Sequence, residues 1–332
     1  MGAVRNTKNV MAGHRLVTDS ELSGLSEKIR RLEKNIQQVI KGKPEVIRTA
    51  IVALISRGHL LIEDVPGVGK TTLAQALANS VDLSFKRLQF TSDLLPTDIL
   101  GVSIFDQNTG EFNFKHGPIF ANVVFVDEIN RATPKTQSAL LEAMNESVVT
   151  IDGHSYTLPD PFMVVATQNP FEYKGTFPLP ENQLDRFLMR VRIGYPDYES
   201  EMEILIKFNS LGFLNGIKPV LTKEELVQLQ LMTQQIRIDE SLLDYILSIV
   251  KETRNQKYFE LGVSPRGAIA LKLAAQSRAL LDGRSFCIPD DIKEMVIPVL
   301  SHRVVLKYEH LPEKRRQEDL LTEVLERVKV PI

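Results

Sequence analysis

Residues 59–81 read HLLIEDVPGVGKTTLAQALANSV, a short apolar run, a glycine-bearing loop and then a stretch with helical spacing. A run that is apolar at successive positions must be covered on both faces. A helix following it at once is how a parallel sheet obtains that cover. The same grammar recurs along the chain. Further buried-strand candidates lie at 87–90 (RLQF), 122–128 (NVVFVDE) and 162–169 (FMVVATQN), and a fifth strand at 189–196 (MRVRIGYP), with helical stretches such as KTQSALLEAMNE between them. Alternation of this kind predicts βαβ units and an α/β domain built on a parallel sheet.

The loop itself carries chemistry. Gly67, Gly69, Lys70 and Thr71 form a GxGKT pattern. Glycines there let backbone N–H groups turn inward around phosphates, while the helix that follows aims its positive end at them. Lys70 is placed to reach β- and γ-phosphates, and the Thr71 hydroxyl to hold Mg²⁺. Asp64 stands where this pattern usually begins with glycine; an acidic side chain there can shape the turn by local hydrogen bonds. Asp127 and Glu128 emerge where NVVFVDE leaves its strand, the end of a parallel sheet at which ligands bind. Asp127 then serves the magnesium, and Glu128 is the natural base for a water attacking the γ-phosphate. Asn169, closing the next strand, could hydrogen-bond that water or the γ-phosphate; before Pro170 it could equally make a turn. Arg186 in LPENQLDRF reads either as a phosphate ligand or as half of a surface ion pair with Asp185 or Glu181.

After residue 197 the pattern becomes helical nearly throughout. Thr222 and Glu225 predict a capping box. Ser264 and Pro265 predict the cap and first residue of a helix that Gly283 closes. The expected organisation is a flexible leader over 1–25, an α/β nucleotide-binding domain over 26–197 and a smaller helical domain over 198–332. Composition sets outer limits. A net charge of −2 argues against binding a polyanion by bulk charge. Cys287, the single cysteine, excludes a disulfide framework, and the six histidines show no zinc-ligand spacing. No apolar run approaches the ~18 residues of a membrane span, and the first residues lack a signal peptide's apolar segment, so a cytoplasmic protein is expected.

Jointly these segments resemble the AAA+ ATPases. VPGVGKTT, with Pro66, Gly67, Val68, Gly69, Lys70, Thr71 and Thr72, looks like their Walker A, and VVFVDE like their Walker B. ATQNP with Asn169 looks like sensor 1, LDRF with Arg186 like the arginine finger, and GVSPRG with Arg266 like sensor 2. The wording of IEDVPGVGKT, FVDEINRATPKTQSALLEAM and VSPRGAIAL is closest to the MoxR branch, within the helix-2-insert clade, over about residues 26–310. The resemblance implies a sheet core with an all-α lid, a ring that is commonly a hexamer, and ATP with Mg²⁺ between neighbouring subunits. It places Ile40 and Gly42 near the adenine. Arg266, in the first turn of a lid helix, is then able to swing its guanidinium onto the phosphates when the two domains close. The hairpin-like stretches at 101–118 and 147–159 would be the clade's two insertions, facing the pore or a client. The expected function is ATP-driven remodelling or maturation of protein complexes, with a partner bearing a von Willebrand factor A domain. A magnesium-chelatase-like subunit shares nearly every motif. A DNA-acting motor is disfavoured by the neutral charge and by hairpin tips without lysine or arginine. A GTPase lacks its NKxD segment here, and a small-molecule kinase would not need the water that Glu128 activates.

Overall fold

The structure is a computed structural model that describes residues 19–171, 175–207, 217–254, 258–307 and 315–331. Two helices open it, α1 (Asp19–Gln37) and α2 (Pro44–Ile55). There follow β1 (Leu60–Glu63), α3 (Lys70–Ser80), β2 (Phe85–Gln89) and α4 (Pro96–Leu100), then the hairpin β3 (Gly101–Asp106) and β4 (Glu111–His116). Next come β5 (Val123–Asp127), α5 (Pro134–Glu146), the hairpin β6 (Val148–Ile151) and β7 (His154–Thr157), β8 (Met163–Gln168), α6 (Glu181–Leu184) and β9 (Met189–Val191). The remainder is α7 (Tyr198–Lys207), α8 (Lys223–Thr233), α9 (Glu240–Thr253), β10 (Phe259–Leu261), α10 (Pro265–Leu281), α11 (Pro289–Leu300), β11 (Val305–Leu306) and α12 (Gln317–Arg327).

The five predicted runs form one parallel sheet in the order β2-β5-β8-β1-β9. Its inner strands carry no alternation because both faces are covered: Val123 to Val126 and Met163 to Ala166 are all buried. Crossing from β1 to β2 and from β5 to β8 puts α3 and α5 over the sheet, as βαβ connection requires. Two departures from expectation are informative. Helix α1 starts at Asp19, although its apolar spacing predicts a start at Ser26. Spacing detects only the buried stripe of Leu25, Ile29, Leu32 and Ile36, and the helix runs on before it. Of the expected leader, residues 1–18 lie outside the described residues. Strand β9 stops at Val191, short of the predicted 196, since the N–H groups of Ile193 and Gly194 turn away to a carboxylate and Gly194 takes φ +66°.

The helical part keeps its signals. Glu225 N–H donates to Thr222 Oγ1 (3.2 Å) while Thr222 N–H donates to Glu225 Oε2 (2.9 Å), the reciprocal box the spacing predicts. Ser264 Oγ accepts from Gly267 N (3.1 Å), and Gly283 (φ +77°) follows the end of α10 in the left-handed conformation. Helix α10 is buried along most of its length and packs against α2, α9 and α11, so the lid has its own central helix. Among its described residues the lid is helical apart from the antiparallel ribbon of β10 and β11 and a single bridge between Arg237 and Phe286. One apolar cluster runs from Ile29 and Ile51 through Leu73 and Leu226 to Leu271 and Leu321, joining helices α1 to α3 to the lid without a gap.

Candidate active site

Register brings the polar strand ends together. Gln89 pairs with Asp127 across β2 and β5, Val126 with Ala166 across β5 and β8, and Glu63 with Gln168 across β1 and β8. Along the carboxyl edge of the sheet one therefore meets Gln89, Asp127, Thr167, Gln168 and Glu63 in spatial order. The loop from Asp64 leaves that edge directly into α3. Gly67 (φ +87°) and Gly69 (φ +93°) adopt conformations that other residues rarely take, and a Cβ on Gly67 would meet nothing within 4 Å. Gly69 caps α3 without a side-chain bond, so the first-turn N–H groups are not taken up by a cap. An open, left-handed loop ahead of a helix start fits a phosphate chain, as the GxGKT pattern predicts. Lys70 Nζ donates to the backbone oxygen of Asp64 (2.6 Å), which folds the lysine back along the loop.

Asp64 does more than shape its own turn. Its Oδ1 accepts from Val65 N (2.8 Å), and its Oδ2 accepts from Ile193 N (2.7 Å) and Gly194 N (2.6 Å). A buried carboxylate thus fastens the mouth of the loop to the chain leaving β9. Beside it, burial works to raise the Glu63 carboxyl, but Arg190 and Arg192 outweigh that and hold it below the usual range.

Asp127 and Glu128 are positioned by residues that the motif reading missed. Thr167 Oγ1 donates to Asp127 Oδ1 (2.7 Å) and accepts from Glu128 N (2.9 Å), and Arg87 pairs with Asp127 Oδ2 (2.8 Å). Gln89 Nε2 donates to Glu128 Oε2 (2.7 Å), with Arg131 Nε at 3.1 Å from the same oxygen. Glu128 itself sits at φ 55°, ψ 53°, a left-handed conformation that costs a non-glycine residue energy and clusters at functional sites. The available signal was the polar residues that end these strands, in the apolar MVVATQ and in FKRLQ, which is an edge strand exposed at Lys86, Arg87 and Gln89 and not the buried strand expected. Asn169 is buried, and its Oδ1 accepts from Phe171 N (3.1 Å), the turn contact; the amide nitrogen is the donor left to point elsewhere. Thr71 in the first turn of α3 and Asp127 supply hard oxygens of the type that Mg²⁺ takes.

Ile40 is buried, and a Cβ on Gly69 would lie 3.8 Å from its Cδ1, so Ile40 flanks the loop. Gly42 (φ +67°) has a separate reason to be glycine: a Cβ there would meet Ser200 Oγ at 2.4 Å and Asp197 Oδ2 at 2.8 Å.

The two arginines lie elsewhere. Arg186 donates to the carbonyl of Leu141 on α5, and Arg266 donates to Asn145 Oδ1 (2.6 Å) near the end of the same helix. That end belongs to the amino edge of the sheet: His59, which precedes β1, hydrogen-bonds the carbonyl of Met144 (2.9 Å) and its Nδ1 accepts from Val164 N (2.9 Å). Neither arginine faces the phosphate loop of its own chain. Arg266 stands in the first turn of α10, which begins at the edge opposite the loop. Among the described residues Arg186 makes no ion pair with Asp185 or Glu181; Asp185 pairs with Arg303 (2.7 Å).

The fold and edge geometry are those of a P-loop ATPase of the AAA class. Residues 59–189 match the family described as ATPase family associated with various cellular activities (AAA), and residues 251–324 match the AAA lid domain. The chain is 49% identical to an uncharacterised protein YeaC of Bacillus subtilis over 90% of this chain and 93% of that one. It is 39% identical to Chaperone MoxR1 of Mycobacterium tuberculosis, over 93% and 84%. The crystal structure of a candidate ATPase from Cytophaga hutchinsonii superposes with a TM-score of 0.88 at 36% identity, covering 95% of this chain and 98% of that one. The chain belongs to the MoxR family of AAA+ ATPases, and it is an enzyme that hydrolyses ATP.

Proposed function

We propose that ATP binds with its phosphates on Pro66–Thr72 and its base toward Ile40, and that hydrolysis is completed by a neighbouring copy. The observation that carries this reading is the split between the two edges of the sheet. Loop, Asp127, Glu128 and Asn169 share the carboxyl edge, whereas Arg186 and Arg266 share the amino edge. Head-to-tail contact of two copies would bring one edge to the other, and a closed ring, expected to be a hexamer, satisfies every copy alike. Magnesium held by Thr71 and Asp127 would neutralise phosphate charge in that site. Glu128 turns from Gln89 to take a proton from water, Asn169 orients that water with its amide, and Lys70 holds the β- and γ-phosphates. Arg186 and Arg266 of the adjacent copy steady the charge on the departing phosphate.

The use of that cycle is proposed as remodelling or maturation of protein complexes in the cytoplasm, with a von Willebrand A-domain partner. Support comes from a 39% identical relative named a chaperone and from two hairpins that stand outside the sheet. Separating binding from turnover tests the site. Lys70→Ala is expected to abolish nucleotide binding, while Glu128→Gln keeps binding and loses about 10²–10⁴-fold in phosphate release. Near-normal turnover by Glu128→Gln would remove the glutamate from the reaction.

A further inference from the structure

Arg303 closes the 3₁₀ turn after α11 and is buried. Its Nε donates to Asp185 Oδ1 (2.7 Å), its Nη2 to the carbonyls of Asp185 (3.1 Å) and Phe187 (2.6 Å), and its Nη1 to the carbonyls of Leu188 (3.0 Å) and Val299. All but one of these acceptors flank Arg186. The same guanidinium stem meets the other arginine's helix. A Cβ on Gly267 would lie 3.0 Å from Arg303 Cδ, and Ser264, which caps α10 just before Arg266, donates to Asp185 Oδ2 (3.1 Å). A buried cation is costly, and removing polar isosteres in favour of apolar ones is often neutral for stability. A fork that reads the backbone on both sides of one arginine is therefore more than packing needs.

We infer that Arg303 is a positioning residue: from the lid it holds Arg186, and the first turn that carries Arg266, in the attitude required by a neighbouring copy's phosphates. This rests on the reading of Arg186 as acting between subunits. It also gives the lid a lever, since α11 cannot shift without moving the segment 185–188.

The test uses the full chain with Arg303→Lys, which keeps a cation opposite Asp185 but loses the fork, and with Arg303→Met, which loses both. Each is assayed for assembly, ATP titration and phosphate release, alone and mixed with Lys70→Ala subunits. Arg303→Lys should assemble and bind ATP as wild type does, yet turn over about 10²-fold more slowly, as a misplaced catalytic group does. Mixing with Lys70→Ala should restore activity, because an intact loop then meets intact arginines. A merely structural arginine would damage its own site, and mixing could not repair it. Loss of ATP binding in step with turnover, or wild-type turnover in Arg303→Lys, would overturn the inference. Arg186→Ala mixed with Lys70→Ala is the companion experiment. Recovery there with none for Arg303→Lys sinks the positioning role alone; no recovery in either sinks the inter-subunit reading and this inference with it.

Discussion

Asp64 shows how a departure from a motif can be structural. Its carboxylate satisfies three backbone N–H groups, two of them 129 and 130 residues away. Asp64→Ala would leave those donors without the acceptor, at about 1–3 kcal/mol for each buried group. The expected result is a lower urea midpoint at unchanged slope, with weakened ATP binding as the loop's mouth loosens. Asp64→Asn, which keeps one carbonyl oxygen, should lose less. A wild-type midpoint in Asp64→Ala would refute the anchor. At this scale the sequence was legible wherever function lies in adjacent residues: Gly67 to Thr71 and the Asp127–Glu128 pair stand where their motifs predict. Thr167, Gln89 and Arg303 were not legible, because their partners are set by sheet order and by lid packing across 39 to 118 residues. Chain order does not say at which edge of the sheet the helix carrying Arg266 will begin.

Among the elements, β1 is pinned at its start by His59. One ring nitrogen accepts from Val164 N and the other donates to Met144 O, which fixes the neutral tautomer. Burial lowers its pKa to about 4, the nearby Arg266 charge adding to this and the Met144 bond opposing it. The unfolded chain takes up this proton below about pH 6.5 while the folded chain does not until about 4, so stability is full above that window and falls as pH drops. The loss from this one group is about 2 kcal/mol by pH 5. His302, kept neutral by burial and by the Arg303 charge, acts in the same direction. Unfolding midpoints at pH 8 and pH 5 should differ less for His59→Gln than for wild type; an equal difference would clear His59.

The hairpins belong to this scale too. Ser103 Oγ donates to Asp152 Oδ2 (2.7 Å), and Phe114 stacks on Tyr156 with ring centroids 4.2 Å apart, so β3–β4 and β6–β7 form one unit. Phe105 and Phe112 remain exposed near its end. Replacing Gln107–Gly110 and Asp152–Ser155 by Gly-Ser turns should spare basal ATPase and abolish stimulation by a protein partner, because surface tips tolerate exchange. A normal response would show that the hairpins are not the working surface. Stimulation by DNA that weakens steeply with salt would favour the nucleic-acid alternative.

For the whole molecule, the proposed sharing of a catalytic site between copies would make activity a matter of concentration. Diluting the protein should lower phosphate release per chain while ATP affinity per chain holds, because the loop is complete in one copy and the arginines are not. Constant specific activity down to concentrations where only single chains sediment would contradict the shared site. Helices α1 and α2 precede the sheet, yet share one apolar cluster with α8, α10 and α12 across the boundary proposed near 197. Sequence reading marks where the pattern changes, but side-chain burial across that boundary depends on contacts no periodicity encodes.

The separation of loop and arginines has a genetic consequence. On the proposed shared site, a chain altered at Lys70 would forfeit its own chemistry, whereas one altered at Arg186 would leave its own loop sound and silence the subunit beside it. In a cell that carries both alleles, the second kind of lesion would spread to wild-type product. Inheritance would then report the handedness of the ring: defects passing to one neighbour only, always the one on the same side.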